Sequence, residues 1–240
     1  MKRNFCLLFF LWFANILLAQ SSIPRPEYPR PQFERADWVN LNGIWTFEFD
    51  FGKSGMDRKL FESKGFGSNI TVPFCPESTL SGVGHKNFIP AMWYHRTIKM
   101  PVGWQRKEII LHFGAVDYYA HIYIDGKSAG NHWGGSSSFE LNITSFVSDG
   151  LAHELVVYVE DNQRNGTQAR GKQSDVFYSQ GCDYTRTTGI WQTVWMEAVD
   201  PCGLKSVYIV PDLDQKRFVV NTSFFGLKAG QRLLIKLNEL

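Results

Sequence analysis

Asp183 is the carboxylate whose position in the sequence most invites a chemical explanation. It lies beside Cys182 and six residues before the Gly189-Ile190 pair. That pair opens a run of large apolar residues up to Met196, which is typical of a strand buried on both faces. A charge near the start of a buried strand does not stabilise the strand, because removing an unpaired charge from water is costly. Asp183 is therefore either a solvated loop residue or a group that faces a ligand requiring a carboxylate.

Other motifs that carry chemistry are absent or incomplete. The sequence contains no HExxH and no GxSxG motif, and its six histidines include no pair at metal-ligand spacing. Residues Gly166 to Lys172, GTQARGK, nearly match a phosphate-binding loop. However, Gln173 follows where Ser or Thr is needed, and no helical pattern comes after it. We therefore expect no metal and no cofactor.

The N-terminus has the composition of a secretory signal peptide. Lys2 and Arg3 precede a largely apolar stretch from Phe5 to Leu18, and Ala19 supplies a small residue for cleavage. The stretch is shorter than the roughly 20 apolar residues that a membrane span needs. The sequence thus predicts that residues 1–19 are removed and that the mature protein is exported, to the periplasm or out of the cell, without a membrane anchor.

Charge and cysteine content narrow the choice of partners. The chain has 25 basic and 23 acidic residues, and removing Lys2 and Arg3 with the signal peptide leaves 23 of each. This balance argues against nucleic acid or an acidic membrane as a partner.

Cys75, Cys182 and Cys202 remain in the mature chain and permit at most one disulfide. Three partly buried thiols are an equally good interpretation.

The elements that must position Asp183 are strands. Apolar and polar residues alternate along residues 139–144, 121–125 and 44–49, which predicts strands there. Asp125-Gly126 predicts a tight hairpin turn, because glycine adopts the positive φ that such a turn requires. No segment has the pattern of an amphipathic helix of three turns. The sequence predicts an all-β chain and, from its short strands and long polar loops, a jelly-roll sandwich.

A domain boundary is predicted near Pro201-Cys202-Gly203, where turn residues follow a strand pattern. Three alternating segments come after it, and three strands cannot close a sandwich of their own. The sequence therefore predicts a jelly roll over residues 20–202 and the beginning of a second, truncated sandwich over residues 203–240.

Several segments together resemble the N-terminal sugar-binding domain of glycoside hydrolase family 2. They are WYHRTIKMPVGW, LHFGAVDYYAHIYIDGKSAGNHWGG, ARGKQ and DYTRTTGIWQTVWME, preceded by WVNLNGIWTFEFD. The likeness extends from Asp37 to Val199. The family contains β-galactosidases, β-glucuronidases and β-mannosidases, in which this jelly roll is followed by an immunoglobulin-like sandwich and a TIM barrel. The resemblance thus implies that residues 203–240 begin the immunoglobulin-like sandwich.

The resemblance also implies where catalysis takes place. Retaining glycosidases need two carboxyls roughly 5 to 5.5 Å apart, and in the family both are glutamates at strand ends of the barrel. No acid of this chain matches either position. Glu160 and Asp161 are adjacent at a strand end and so point to opposite faces, which prevents them from flanking one bond. We assign no catalytic residue to this chain and expect it to be inactive alone.

One position of the chain matches a substrate contact of the family. The family's jelly roll contributes an aspartate, six residues before a Gly-Ile pair, that reaches the barrel's pocket and contacts the sugar. Asp183 matches that aspartate, and a solvated loop carboxylate is the alternative. The segment Gly82–Ala91 corresponds to a second family loop that can approach the pocket. Asn87 in this segment is a further candidate, although no motif supports it.

Other side chains leave choices open. Four aromatic residues either stack on a pyranose ring or pack inside the sandwich: Trp93, Trp104, Trp133 and Tyr184. Arg170 and Lys172 either bind the carboxylate of an acidic sugar or lie in a solvated loop.

Three functions are compatible with the sequence. The chain is the non-catalytic part of an exported family 2 glycosidase that acts on terminal β-linked sugars, a stand-alone carbohydrate-binding module, or a sandwich that only organises quaternary structure. The partner is a carbohydrate in the first two cases, and an oligomer is compatible with the complete enzyme.

Overall fold

The structure is a computed structural model that describes residues 23–236. The predicted signal peptide, residues 1–19, lies outside the described residues and stays a prediction. Within the described range, no helix is long and apolar enough to cross a membrane.

Strands make up nearly all the regular structure. The strands are β1 (Trp38–Asn40), β2 (Gly43–Phe49), β3 (Ser68–Val72), β4 (Ala91–Lys99), β5 (Glu108–Phe113), β6 (Val116–Asp117), β7 (Tyr119–Ile124), β8 (Lys127–Trp133), β9 (Phe139–Asn142), β10 (Ala152–Glu160), β11 (Gly189–Ile190), β12 (Val194–Val199), β13 (Leu204–Asp212) and β14 (Arg217–Phe224). The part of the chain that the structure describes adds one short helix, α1 (Thr144–Val147), and two 3₁₀ turns, Leu60–Glu62 and Thr79–Ser81. The prediction of an all-β chain is confirmed.

Two antiparallel sheets form the sandwich. The larger sheet has six strands in the order β3-β2-β4-β10-β7-β8, and the smaller has four in the order β1-β12-β5-β9. The short strands β6 and β11 pair with each other, Gly189 opposite Asp117. β11 therefore fixes the end of the segment that contains Asp183.

The main core lies between the sheets. Along β10, Leu155, Val157 and Val159 point into it, as expected from the alternation of a strand. The residues between them, Val156 and Tyr158, face the other way into a smaller apolar cluster with Trp93 and Tyr123 of the same sheet. Phe61 and Phe66 of the segment between β2 and β3 pack against this cluster. Burying each such aliphatic or aromatic side chain contributes roughly 1.5–3 kcal/mol, so both faces of β10 stabilise the fold.

The hairpin between β7 and β8 has the predicted turn. Asp125 and Gly126 have φ angles of 50° and 75°, and Ile124 pairs with Lys127 across the turn. The carboxylate of Asp125 accepts hydrogen bonds from the backbone N–H of Glu154, at 2.8 Å, and from Nδ1 of His153, at 2.6 Å. The turn is thereby attached to β10 as well as to its own two strands.

The outer face of the smaller sheet contains a buried carboxylate. Glu197 on β12 is only 2% exposed. It accepts hydrogen bonds from Trp195 Nε1, at 2.9 Å, and from the Tyr28 hydroxyl, while Nε of Arg35 lies 2.9 Å away and Nε2 of His112 lies 3.2 Å away. Burial alone would raise the pKa of Glu197, but the contacts with His112, Tyr28 and Trp195 outweigh it and lower the pKa to about 2. Tyr28 and Arg35 precede β1, so the segment before β1 is bound to this face of the sheet through the carboxylate of Glu197.

The strands after Gly203 form a separate sheet of two, β13 and β14. Nη2 of Arg35 donates to the carbonyls of Leu204 and Lys205, at 2.9 and 3.2 Å, and so connects the jelly roll to the start of β13. The third alternating segment after Gly203, QRLLIKLNEL, spans residues 231–240 and predicts a strand. That prediction is wrong over residues 231–236, which have no regular structure. Among the described residues, no third strand pairs with β13 or β14, so the backbone groups of 231–236 have no sheet to join. Assignment of this region to an immunoglobulin-like sandwich stays a prediction.

Cys75, Cys182 and Cys202 are all free thiols. Of the two interpretations of the mature cysteines, separate thiols are the one found among the described residues.

Candidate functional site

Asp183 lies on the long connection between β10 and β11, residues 161–188, which we name the β10–β11 loop. A tight turn presents it: the backbone N–H of Asp183 donates to the Gln180 carbonyl at 2.9 Å, and the reverse bond measures 3.1 Å. Gly181 occupies a φ of 57°, which glycine adopts without steric cost. The carboxylate of Asp183 is partly exposed and forms no hydrogen bond or ion pair with any residue that the structure describes. It is therefore available to a ligand.

Buried side chains fasten the start and the end of the loop together. The carboxylate of Asp161, at its first position, accepts hydrogen bonds from Gln163 Nε2 at 2.8 Å, Gln168 Nε2 at 2.7 Å and Thr188 Oγ1 at 2.8 Å. Because Thr188 is the last residue of the loop, one carboxylate closes it. Asp161 is buried, and this burial raises its pKa.

A second carboxylate holds the middle of the loop. Asp117 on β6 accepts a hydrogen bond from Gln173 Nε2 at 2.7 Å, and Oε1 of Gln173 accepts one from the backbone N–H of Thr187 at 2.6 Å. Burial, reinforced by the nearby charge of Asp161, raises the pKa of Asp117 to about 7. These contacts position the segment that contains Asp183 from the side of the sandwich.

Glu77 is the third buried acid of this region. It accepts a hydrogen bond from the backbone N–H of Thr188 at 3.2 Å. Burial raises its pKa to about 7. Carboxyls with such raised pKa values are characteristic of general acids in enzymes. Glu77, Asp117 and Asp161 are all buried and bonded to the β10–β11 loop, so a substrate cannot reach them. Their role is to hold the loop in position.

Arg186 joins this loop to the segment that contains Asn87. Its guanidinium is 2% exposed and donates to the carbonyls of Lys86, Val176 and Ser174. Its guanidinium carbon also lies 4.2 Å from the centre of the Phe88 ring. Asn87 is exposed between Lys86 and Phe88. Asp183 and Asn87 therefore stand on two loops that one buried arginine binds together.

Sequence analysis missed Arg186, Asp117 and Glu77. Arg186 lies within the DYTRTTGIW motif, and this position is the one signal that could have indicated it. Nothing in the sequence around Asp117 or Glu77 predicts that they are buried, because their partners lie 56 and 111 positions away along the chain.

The aromatic candidates divide into two groups. Trp93 and Trp104 are buried and cannot contact a sugar; Trp93 donates from Nε1 to Asp50 at 3.0 Å. Trp133 and Tyr184 are exposed, and their rings are accessible. Tyr184 lies next to Asp183 in the sequence.

The remaining polar candidates lie at the surface or at the strand end. Arg170 forms an ion pair with Asp175 at 3.2 Å, and Lys172 is exposed. Glu160 pairs with Lys53 at the surface, whereas Asp161 is buried. The two adjacent acids thus lie in different surroundings, as their opposite directions along a strand require. Within residues 23–236, no group of three potential ligands could hold a metal ion.

Comparison with known families decides what kind of domain this is. The family model "Glycosyl hydrolases family 2, sugar binding domain" matches residues 38–200, more than half of the chain. The chain belongs to glycoside hydrolase family 2. The matched residues begin with β1 and end directly after β12, so they include both sheets of the sandwich and the β10–β11 loop.

Relatives of this family 2 chain include enzymes with two different names. It is 25% identical over 185 residues to a β-galactosidase of Thermoanaerobacter pseudethanolicus, covering 73% of this chain and 22% of that protein. It is 22% identical over 238 residues to the β-glucuronidase of Sus scrofa, covering 90% of this chain and 36% of that protein. The chain therefore spans only a fifth to about a third of the length of these relatives.

Solved structures show the same fold. A β-glucuronidase from Ruminococcus gnavus matches with a TM-score of 0.63 and 18% identity, over 84% of this chain and 35% of that one. The same enzyme in complex with uronic deoxynojirimycin matches with a TM-score of 0.64 and 18% identity, over 81% of this chain and 35% of that one. At this identity the likeness concerns the fold, and it agrees with the β-sandwich described above.

Proposed function

We propose that this chain forms the non-catalytic wall of the sugar pocket in an exported family 2 glycosidase, and that Asp183 binds the terminal β-linked sugar there. The observation that carries the proposal is the state of Asp183. Its carboxylate has no partner among the described residues, and its loop is held at its two ends by the bond between Asp161 and Thr188 and in its middle by the bond between Asp117 and Gln173. A positioned carboxylate can hold a sugar hydroxyl without itself reacting. Export is supported by the composition of residues 1–19.

The reaction itself is assigned to another part of the enzyme. Hydrolysis with retention needs two accessible carboxyls that flank the scissile bond. Among the described residues, the acids whose pKa is raised by burial are Glu77, Asp117 and Asp161, and all three are buried. They cannot protonate a leaving group. The chain's contribution is thus to orient the substrate, for which relatives named β-glucuronidase and β-galactosidase suggest a β-linked sugar.

The decisive experiment replaces Asp183 by Asn in a protein that joins this chain to a catalytic barrel. A hydrogen bond to a charged group contributes roughly 1.5–3 kcal/mol, so kcat/KM should fall by about one to two orders of magnitude. The melting temperature should stay the same, because the side chain of Asp183 bonds to none of the residues that the structure describes. A substrate that lacks the contacted hydroxyl should be hydrolysed almost equally by both proteins.

Asp175→Asn is the matched control. Asp175 is an exposed acid on the same loop, and within residues 23–236 its carboxylate pairs only with Arg170. Its replacement should leave kcat/KM unchanged. If Asp183→Asn instead lowers the melting temperature and leaves the kinetics of the folded enzyme normal, Asp183 is a structural residue and its assignment to the pocket is wrong.

A further inference from the structure

We propose that the jelly roll has a second carbohydrate site, a cleft that binds a neutral pyranose of an oligosaccharide. The cleft has a volume of about 310 Å³ and lies between the start of the β10–β11 loop and the β7–β8 hairpin. Its walls combine the aromatic rings of Trp133 and Tyr119 with the side-chain amides of Asn162 and Asn165. Small-molecule sites have this character: a concavity of this order of size, with apolar rings and a few polar groups that fix orientation.

An exposed tryptophan forms the platform of the cleft. Trp133, at the end of β8, is 65% exposed. It is held in place by Tyr119, its partner across the β7–β8 pair, whose ring centre lies 4.2 Å from that of Trp133 at an interplanar angle of 37°. Tyr118 approaches from the side, at 6.2 Å and 69°. A rigid aromatic ring offers a large apolar surface with little loss of conformational entropy on binding. The ring of a pyranose has apolar C–H groups that match such a surface.

Polar groups in the cleft are available for sugar hydroxyls. Within the described residues, the side-chain amide of Asn162 and the hydroxyl of Tyr118 form no hydrogen bond. Oδ1 of Asn165 accepts from Thr167, which leaves its Nδ2 to donate. Gln168 differs, because it bonds to Asp161 and to the backbone N–H of Asn162 and so shapes the wall. Amides and a phenol can both donate to and accept from hydroxyl groups.

The charge of the cleft selects a neutral sugar. The charged side chain that lines it is Glu160, whose carboxylate is engaged by Lys53 and by the Tyr158 hydroxyl, at 3.1 Å for the latter. No cation that lines the cleft in the described structure is left to bind an acidic sugar. A uronic acid would bring its own carboxylate next to Glu160, with no free cation among the lining residues to pair with it.

This site is separate from the one proposed for Asp183. Asn162 and Asn165 lie at the start of the β10–β11 loop, and Asp183 lies near its end. Binding in the cleft does not require a barrel, so it is expected in the 240-residue chain and would hold even if Asp183 contacts no substrate.

The test uses the 240-residue chain from a host that does not glycosylate Asn165, since Asn165-Gly166-Thr167 is a glycosylation sequon. The eight tryptophan indole signals are followed by ¹H–¹⁵N NMR during titration with cellohexaose, with β-1,4-galactohexaose and with trigalacturonate. We expect at least one neutral oligosaccharide to shift the signal that is missing in Trp133→Ala, with a Kd of about 1 mM, and trigalacturonate to shift it less.

Substitutions connect the binding to the cleft. Trp133→Ala should weaken binding at least about tenfold, as is usual for a central aromatic contact, and Asn162→Ala should weaken it by a smaller factor. Tyr208→Ala, which removes an equally exposed aromatic ring from β13, should change nothing. Trp133→Phe, which keeps an aromatic ring, should retain part of the affinity and shows that a loss in Trp133→Ala is not due to misfolding.

Three results would overturn the proposal. They are the absence of any shift of the Trp133 indole with both neutral oligosaccharides at about ten times the expected Kd, unchanged affinity in Trp133→Ala, and tighter binding of trigalacturonate than of the neutral probes.

Discussion

Glu77 should make the jelly roll less stable as the pH rises. Its pKa in the folded protein is about 7, against 4.5 for an unperturbed glutamate. A carboxyl with a raised pKa binds its proton more tightly in the folded state than in the unfolded state. Stability therefore falls as the pH rises from about 4.5 to about 7, and above pH 7 the whole cost of a buried charge is present.

The size of this effect follows from the pKa difference. The shift from 4.5 to about 7 corresponds to a loss on the order of 3 kcal/mol in the free energy of unfolding between pH 4.5 and pH 8. Glu77→Gln removes the charge but keeps a side-chain oxygen to accept from the N–H of Thr188. The variant should match the parent near pH 4.5 and exceed its stability by about that amount at pH 8.

Urea unfolding at several pH values between 4.5 and 8 measures this difference directly. Other groups also make the stability depend on pH, among them Asp117, whose pKa is about 7, and His153, whose pKa is raised by contacts with Asp125 and Asp149 that outweigh its burial. His153 acts alike in both proteins. The charge of Glu77 also raises the pKa of Asp117, so the difference between variant and parent measures Glu77 together with its effect on Asp117. Glu62→Gln, at an exposed glutamate, should show no such difference. If Glu77→Gln is no more stable than the parent at pH 8, Glu77 is not a buried, proton-binding acid and the reasoning is refuted.

Three further predictions concern the chain as a whole. The purified 240-residue chain should not hydrolyse nitrophenyl β-glycosides, since its described residues form no catalytic barrel; turnover that persists after further purification would contradict this. A chain that ends at Pro201 should be more monomeric in sedimentation than the longer chain, because β13 and β14 expose Tyr208, Ile209 and Phe218; equal behaviour would show that these side chains do not associate. Glu197→Ala should lower the free energy of unfolding by about 3 kcal/mol or more in urea, because it leaves the ionic partner on the N-terminal segment without its carboxylate; a loss below 1 kcal/mol would mean that the network contributes little.

Strands and turns were predictable because their signals are local. Alternation over a few residues is enough to indicate β7 and β9, and Asp125-Gly126 identifies the turn between β7 and β8 through the backbone freedom of one glycine. β4 is different, since both its faces are buried and its sequence alternates only weakly. For this reason the burial of Trp93 was left open by the sequence.

The environment of the candidate site depends on contacts between distant residues. Arg186 is buried because the carbonyl of Lys86, 100 positions earlier, comes to meet it. Asp183 could be named as a candidate because it matches an aspartate of the family that the sequence resembles, but the bonds that Asp117 and Asp161 make to its loop could not be predicted. The pairing of the strands decides whether a charged residue in a loop is solvated or buried. A short sequence motif does not predict this pairing.

The pairing of β1 with β12 has a consequence for how the molecule is made. Trp38 lies opposite Glu197, so the smaller sheet is not complete until nearly all of the matched domain has been synthesised. β10, at the centre of the larger sheet between β4 and β7, is likewise one of the later strands. Closing such long loops costs entropy before any contact repays it, and topologies rich in distant contacts fold slowly. The nascent chain should therefore stay open until its last strand emerges, a state that would suit the export proposed above.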